Sequence, residues 1–188
     1  VAPPPTTRQQ RTERQGATVD ALLSAAAEVL NHTGYDDLTL RAVATAAGVT
    51  HTTAYAYFSS KAHLVAEMFW RRLQALGEPK VDDSLGLAGR ITAAMSGPSL
   101  LLADEPVLAR AALPALLAAD PDVDALRTAV GALLTDRITA ALGSEADPAV
   151  IEVVLLVFSG AMVQAGMGYF DYDGVVRRVA RAATLMDH

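Results

Sequence analysis

The sequence predicts an all-α fold, with a small helical domain in front of a larger helical one. Three observations carry this. Alanine occurs 37 times in 188 residues, and it is the strongest helix former. Apolar residues recur at three- and four-residue spacing rather than in alternation. The breaks between these runs are helical punctuation: Asp120-Pro121 and Asp147-Pro148, with Asp as cap and Pro in the first turn, and glycines at 34, 48 and 77. Hydrophobic residues at 52% against 19% charged describe a chain with a buried core, not a disordered one.

Residues 1–16 are polar and Pro-rich and carry Arg8, Arg11 and Arg14, so they read as a flexible basic arm. Val19, Leu22, Leu23, Ala26, Val29 and Leu30 then mark a helix from about Thr18 to His32, stopped by Gly34. Thr39 is placed to cap a short helix from Leu40 to Ala46. Thr50 is placed to cap a third, to about Phe58, and Ser60 a fourth, to about Leu76. Leu85 to Met95 forms the next helix, expected to end before Gly97-Pro98. Another begins near Asp104 and is bent or ended by Pro114. The two Asp-Pro starts open helices to about Leu142 and about Tyr169, and a last helix runs from Tyr172 to Met186. In that last helix Val175, Val176, Val179 and Ala183 fall inward, and Arg177, Arg178 and Arg181 mostly outward.

The net charge of −6 hides an asymmetry. Residues 1–80 hold eight Lys/Arg and seven Asp/Glu, whereas residues 81–188 hold seven and fourteen. A near-neutral front with a basic tip precedes an acidic back, so the global charge does not exclude a nucleic-acid partner for the front.

The segment Leu40–Phe58 carries the most specific signal. Gly48 stands between two short helices, where the turn needs positive φ. Val43, Ala44, Ala47, Val49 and Ala54 supply small apolar contacts that let the helices approach. This is the arithmetic of a helix-turn-helix, whose second helix enters the DNA major groove. That second helix reads Thr50-His51-Thr52-Thr53-Ala54-Tyr55-Ala56-Tyr57. Three threonines within four positions are poor helix formers, but hydroxyls, an imidazole and phenols suit base edges and phosphate oxygens. Lys61 stands in the first turn of the next helix, where the dipole disfavours a cation, and a bound phosphate would relieve the conflict.

Gly34-Tyr35, Thr39, Arg41, Val43-Ala44, Ala47-Gly48-Val49-Thr50, Thr53, Tyr55, Phe58 and Ser60-Lys61 together resemble the DNA-binding domain of the tetracycline-repressor (TetR) family. The resemblance is close over about residues 17–65; beyond them only size and helical character agree. It implies a bacterial, cytoplasmic, one-component transcriptional regulator that binds a double-stranded operator as a homodimer, with a DNA-binding domain at 17–62 and a ligand-binding and dimerisation domain at 63–188. It implies phosphate contacts from Thr39, Arg41, Thr50, Tyr55, Tyr57 and Lys61, and base reading by His51, Thr52 and Thr53. Thr52 replaces the family's usual Gly and Ala54 its usual Leu, which bear on base reading and on one core contact. Arg8, Arg11 and Arg14 would reach an adjacent groove. The helix from Ser60 to about Leu76 joins the two domains and would act as the lever between them.

In the back half, Gly160, Ala161, Ala165 and Gly166 permit close helix approach. With Val175, Val176 and Val179 they are expected to form a two-helix face that pairs with its twin. Residues 81–157 contain no aromatic side chain. Leu100, Leu101, Leu113, Leu117, Leu133, Val157, Phe158 and Met162 are expected to line an apolar pocket, with Arg137 and Gln164 as polar anchors. Such a pocket suits a lipid, sterol, terpenoid or drug-like effector.

Rival readings fare worse. The absence of cysteine excludes disulfides, thiolate metal sites and cysteine nucleophiles. The four histidines show no metal-ligand spacing, and neither a nucleophile elbow nor a phosphate loop appears, so no metal, cofactor or catalytic site is expected. No N-terminal apolar stretch reads as a signal peptide. Val153–Phe170 lacks charge for 18 residues, but its glycines, Ser159 and Gln164 favour a helix buried in protein over a membrane span. A helical interaction module that has lost DNA binding is opposed by the polar third helix and Lys61.

Overall fold

The computed structural model describes residues 13–80, 82 and 84–186. Among these, the regular elements are α-helices and one 3₁₀ turn: α1 Glu13–Asp37, α2 Leu40–Ala46, α3 His51–Tyr57, α4 Lys61–Ala75, α5 Leu87–Leu100, α6 Pro106–Leu116, α7 Pro121–Leu142, the turn Gly143–Glu145, α8 Pro148–Gly166 and α9 Tyr172–Met186. The all-α expectation holds. Two compact units form: one comprises α1 through Arg71 together with Pro106–Ala129, the other Arg72–Glu105 together with the chain from Val130.

In the first unit, α1 buries Val19, Leu22, Leu23, Ala26 and Leu30. It begins at Glu13, inside the stretch expected to be an arm. Its regular backbone breaks at Gly34, which takes φ 75° and ψ 178°, a conformation that L side chains avoid. α1 packs against α2 and α6, and α2 against α3. α4 is buried on every side from Ala62 to Trp70. That all-round burial includes two ionisable residues. Arg71 donates to Glu67 at 2.9 Å and to Asp20 on α1 at 2.5 Å, and buried charges persist only when paired in this way.

In the second unit, α9 packs against α5 and α8. Val175, Val179 and Ala183 are buried, while Arg177, Arg178 and Arg181 lie toward solvent, as the periodicity predicts. Gly174 permits a close approach, because a Cβ there would stand 2.6 Å from the Phe170 ring.

Two helices run past internal prolines, one expected to end before Pro98 and one expected to be bent or ended by Pro114. α5 continues through Pro98 to Leu100, and α6 through Pro114 to Leu116. Proline lacks the amide that would bond the carbonyl four residues back. For Pro98 that carbonyl belongs to Ala94, and the Nε of Arg137 supplies the missing donor at 3.3 Å. The same guanidinium also donates to the Gly77 carbonyl. α8 stops at Gly166, three residues short of the expected end, and Gly168 turns the chain at φ 82°.

Candidate nucleic-acid interface

The helix-turn-helix is built by its caps. Thr39 is extended, and its hydroxyl accepts the Ala42 amide at 3.1 Å, which opens α2. Leu40, Val43 and Ala44 face inward, so Arg41 is turned outward. Gly48 at φ 68° makes the turn, and the Val49 amide closes it on the Ala44 carbonyl at 3.0 Å. Thr50 then caps α3 by accepting the Thr53 amide at 3.1 Å. An uncapped helix start would cost about 1 kcal/mol at each site.

These caps fix which α3 side chains are free. Ala54 is fully buried against the core, and His51, Thr52 and Tyr55 are exposed. Thr53 is half-buried, and its hydroxyl meets that of Thr50 at 2.8 Å. No carboxylate occurs between Asp37 and Glu67, so nothing on this stretch repels a phosphate. That gap is legible in the sequence and marks the same face.

Two expected contacts are placed differently. Tyr57 is only 6% exposed, because it lies three residues after Ala54 on the inward face of α3, and its ring belongs to the core. The Lys61 ammonium donates to the carbonyls of Tyr35 and Asp36, each at 2.8 Å, and lies 4.7 Å from the centre of the Tyr35 ring. The conflict between a cation and the start of α4 is thus relieved inside the chain, by the carbonyl end of α1. Arg8, Arg11 and the side chain of Arg14 lie outside the described residues.

Sequence reasoning missed a polar knot beside α3. Asp120, the cap of α7, accepts the Ser59 hydroxyl at 2.9 and 3.1 Å and the Ser60 hydroxyl at 2.6 Å, besides the Asp122 amide at 3.0 Å. Ser60 also caps α4 by accepting the His63 amide at 3.0 Å. The buried His63 ring accepts the Ser59 amide at 3.2 Å and meets the Phe58 ring edge-on. Burial would raise the Asp120 carboxyl, but hydrogen bonds from Ser60, the Asp122 amide and Ser59, with His63 nearby, outweigh it and hold the group below its usual range. Both Ser60 and Asp120 read as helix caps, but no local pattern shows that residues 60 positions apart would converge.

The other expected sites are only partly assembled. Of the pocket residues, Leu100 is 39% and Leu117 69% exposed, and Gln164 is exposed. Leu113 and Leu117 belong to the first unit, whereas the remaining eight belong to the second. Arg137 is buried and engaged by the Ala94 and Gly77 carbonyls, so it braces α5 rather than anchoring a ligand. Phe158 is buried, and Leu101, Leu133, Val157 and Met162 are half-buried.

Of the expected pairing face, Ala161, Ala165, Val175 and Val179 are buried within the chain, because α8 and α9 close on each other there. Val176 is half-buried, and Gly160 and Gly166 are exposed. The exposed side of α8 adds Val153 and Leu156, and Met167 follows at its C-cap, at 43%, 66% and 64% exposure. A shallow groove of about 510 Å³ beside it is lined by Thr135 of α7 and by α8, through apolar Pro148, Ile151, Leu155 and Leu156 and polar Glu152 and Ser159. It contains none of the residues expected to line the pocket.

Residues 22–68 match the family described as bacterial regulatory proteins, tetR family. Uncharacterised HTH-type transcriptional regulators of Mycobacterium bovis and Mycobacterium tuberculosis are 40% identical over 179 residues, spanning 94% of this chain and 83% of theirs. Among solved structures, a TetR transcriptional regulator from Rhodococcus sp. RHA1 superposes with a TM-score of 0.75 at 20% identity, over 92% of this chain and 96% of that one. Full-length TylP, a TetR regulator from Streptomyces fradiae, gives 0.59 at 25% identity, over 91% and 87%. With its helix-turn-helix at the matched position and a relative this similar along nearly its whole length, the chain belongs to the TetR family of DNA-binding transcriptional regulators.

Proposed function

We propose that this protein is a repressor that binds a palindromic operator as a homodimer in the cytoplasm and is released by a small apolar effector. The observation that carries the reading is the outward face of α2 and α3, where Arg41, His51, Thr52 and Tyr55 are exposed around two threonine caps. In this reading Thr39, Arg41, Thr50 and Tyr55 hold phosphates, and His51, Thr52 and Thr53 read base edges in the major groove. The third ammonium proton of Lys61 remains for a phosphate at the start of α4. The arm arginines, Arg8, Arg11 and Arg14, extend the footprint.

The pairing surface is the outer side of α8. The helix is 19 residues long; its most apolar stretch has a mean hydropathy of 1.9, and only 22% of that stretch is buried. An apolar surface of this kind marks a protein partner, and the partner in this reading is a second copy, since a dimer reads two half-sites about 34 Å apart, one DNA turn. Effector release follows if the effector binds a dimer of different spacing more tightly. The second unit supplies apolar residues for it, among them Leu101, Leu133, Val157, Phe158 and Met162. No catalytic activity is assigned.

Fluorescence anisotropy on DNA tiles from upstream of its own and adjacent genes, with excess competitor at two salt concentrations, tests the reading. Tight, salt-sensitive binding to one palindromic tile is expected. Equal binding to every tile and to fragments selected genome-wide would overturn it.

A further inference from the structure

We propose that Asp120 is a positioning residue for the recognition helix, acting through a hydrogen-bonded latch on Ser59 and Ser60. The proposal rests on the reading of α3 as the DNA-reading element. Ser59 and Ser60 are the only residues between the C-cap of α3, Phe58, and the first residue of α4. The carboxylate of Asp120 binds both hydroxyls, at 2.6 to 3.1 Å. Charge-assisted bonds of this length are the strong ones. The same carboxylate accepts the Asp122 amide at the start of α7, so it is tied to that corner. On the other side of the turn, Lys61 is held by the carbonyls of Tyr35 and Asp36. The α3–α4 joint is therefore bolted at two points, once to the end of α1 and once to the start of α7.

The two bolts are not equivalent. The Lys61 bolt ties α4 to the helix that precedes the helix-turn-helix. The Asp120 bolt ties the joint to a chain segment 60 residues away, where α6 ends and α7 begins. A change in that corner would reach α3 through the latch. It can alter operator affinity by no more than the latch's own free energy.

The test compares operator binding with binding to a non-specific duplex of equal length. Ser59→Ala removes one latch hydroxyl but keeps Ser60 as the cap of α4 and Asp120 as the cap of α7. Asp120→Ala removes the whole latch. Each is expected to weaken operator binding about three- to tenfold, with non-specific binding unchanged, since phosphate attraction does not need an exact helix orientation. The double variant should lose less than the product of the two single losses, since only the contact of the Ser59 hydroxyl with the His63 ring, at 3.1 Å, lies outside the latch. Ser59→Thr, which keeps the hydroxyl, should restore affinity to within about twofold of wild type, where a general loss of packing would not.

If Asp120→Ala does not fold, the Ser59 pair alone decides. Operator binding by Ser59→Ala equal to wild type would overturn the proposal. So would multiplicative losses in the double variant, or losses shared by non-specific DNA. A wild-type protein that selects no DNA removes the reading of α3 and the latch with it; a selective wild type with indifferent variants removes the latch alone.

Discussion

Thr52 and Arg41 are both exposed near the turn, but their chemistry sends them to different parts of DNA. A hydroxyl can read a base edge, and a guanidinium is drawn to phosphates whatever the sequence. Thr52→Ala is therefore expected to relax preference at one or two operator positions, changing discrimination there by about 1–3 kcal/mol in binding to a panel of altered duplexes. Arg41→Ala should weaken all duplexes alike and reduce the slope of log K against log salt by about one per subunit. Asp120 makes a prediction in pH. Its carboxyl is held below its usual range by hydrogen bonds that outweigh burial. The stability it contributes is present above the unfolded value of about 3.9 and is lost as pH falls through the lower folded value. Thermal melts of wild type and Asp120→Asn should differ at pH 7 and draw together as pH falls below about 4.

At the scale of the element, α5 shows how a helix survives an internal proline. Pro98 leaves the Ala94 carbonyl without its helical donor, and Arg137 of α7 replaces it at 3.3 Å. Burial works against the Arg137 charge and lowers its pKa, but the arginine remains ionised at any pH at which proteins fold. Arg137→Ala is expected to cost about 1–3 kcal/mol in urea unfolding, because it strands the buried Ala94 carbonyl. In a Pro98→Ala background the same change should cost less, since an alanine in place of the proline brings back the amide that the Ala94 carbonyl lacks. A double-mutant cycle with no coupling would refute this account of the helix. The caps of α2 and α3 follow the same matching of donors to acceptors on a smaller scale, with one threonine hydroxyl closing each start.

For the whole molecule, the decisive quantity is the number of copies on DNA. One chain offers few cations near α3, and a dimer would neutralise on the order of 6–10 phosphates, with a correspondingly steep salt dependence. Leu156 is 66% exposed on the apolar side of α8. Leu156→Glu would bury a carboxylate in any interface formed there. This variant is expected to run as a monomer at micromolar concentration by light scattering. Its operator affinity should fall to the non-specific level, on the order of a thousandfold weaker. A dimeric Leu156→Glu protein with intact operator binding would place the interface elsewhere.

The sequence by itself determined the order of the helices and the caps that open α2, α3, α7 and α8. The start and end of α2 and α9, the Asp-Pro starts of α7 and α8, and the turns at Gly34 and Gly48 all follow from interactions within a few residues, which spacing and residue type report directly. The same locality made the helix-turn-helix legible, because a whole recognition unit lies within about twenty consecutive residues. Only the tertiary structure decided what distant residues do for one another. Asp120 reads as a cap and proves also to hold Ser59 and Ser60. Arg137 reads as a pocket anchor and proves to complete α5. Lys61 reads as a misplaced cation and proves to hold the end of α1. Tyr57 and the small residues of α8 divide between core and surface according to which neighbour closes on them, and periodicity marks a face without naming what covers it. Local bonds are written in the order of residues, but a buried donor or acceptor takes its partner from whatever the folded chain brings within about 3 Å.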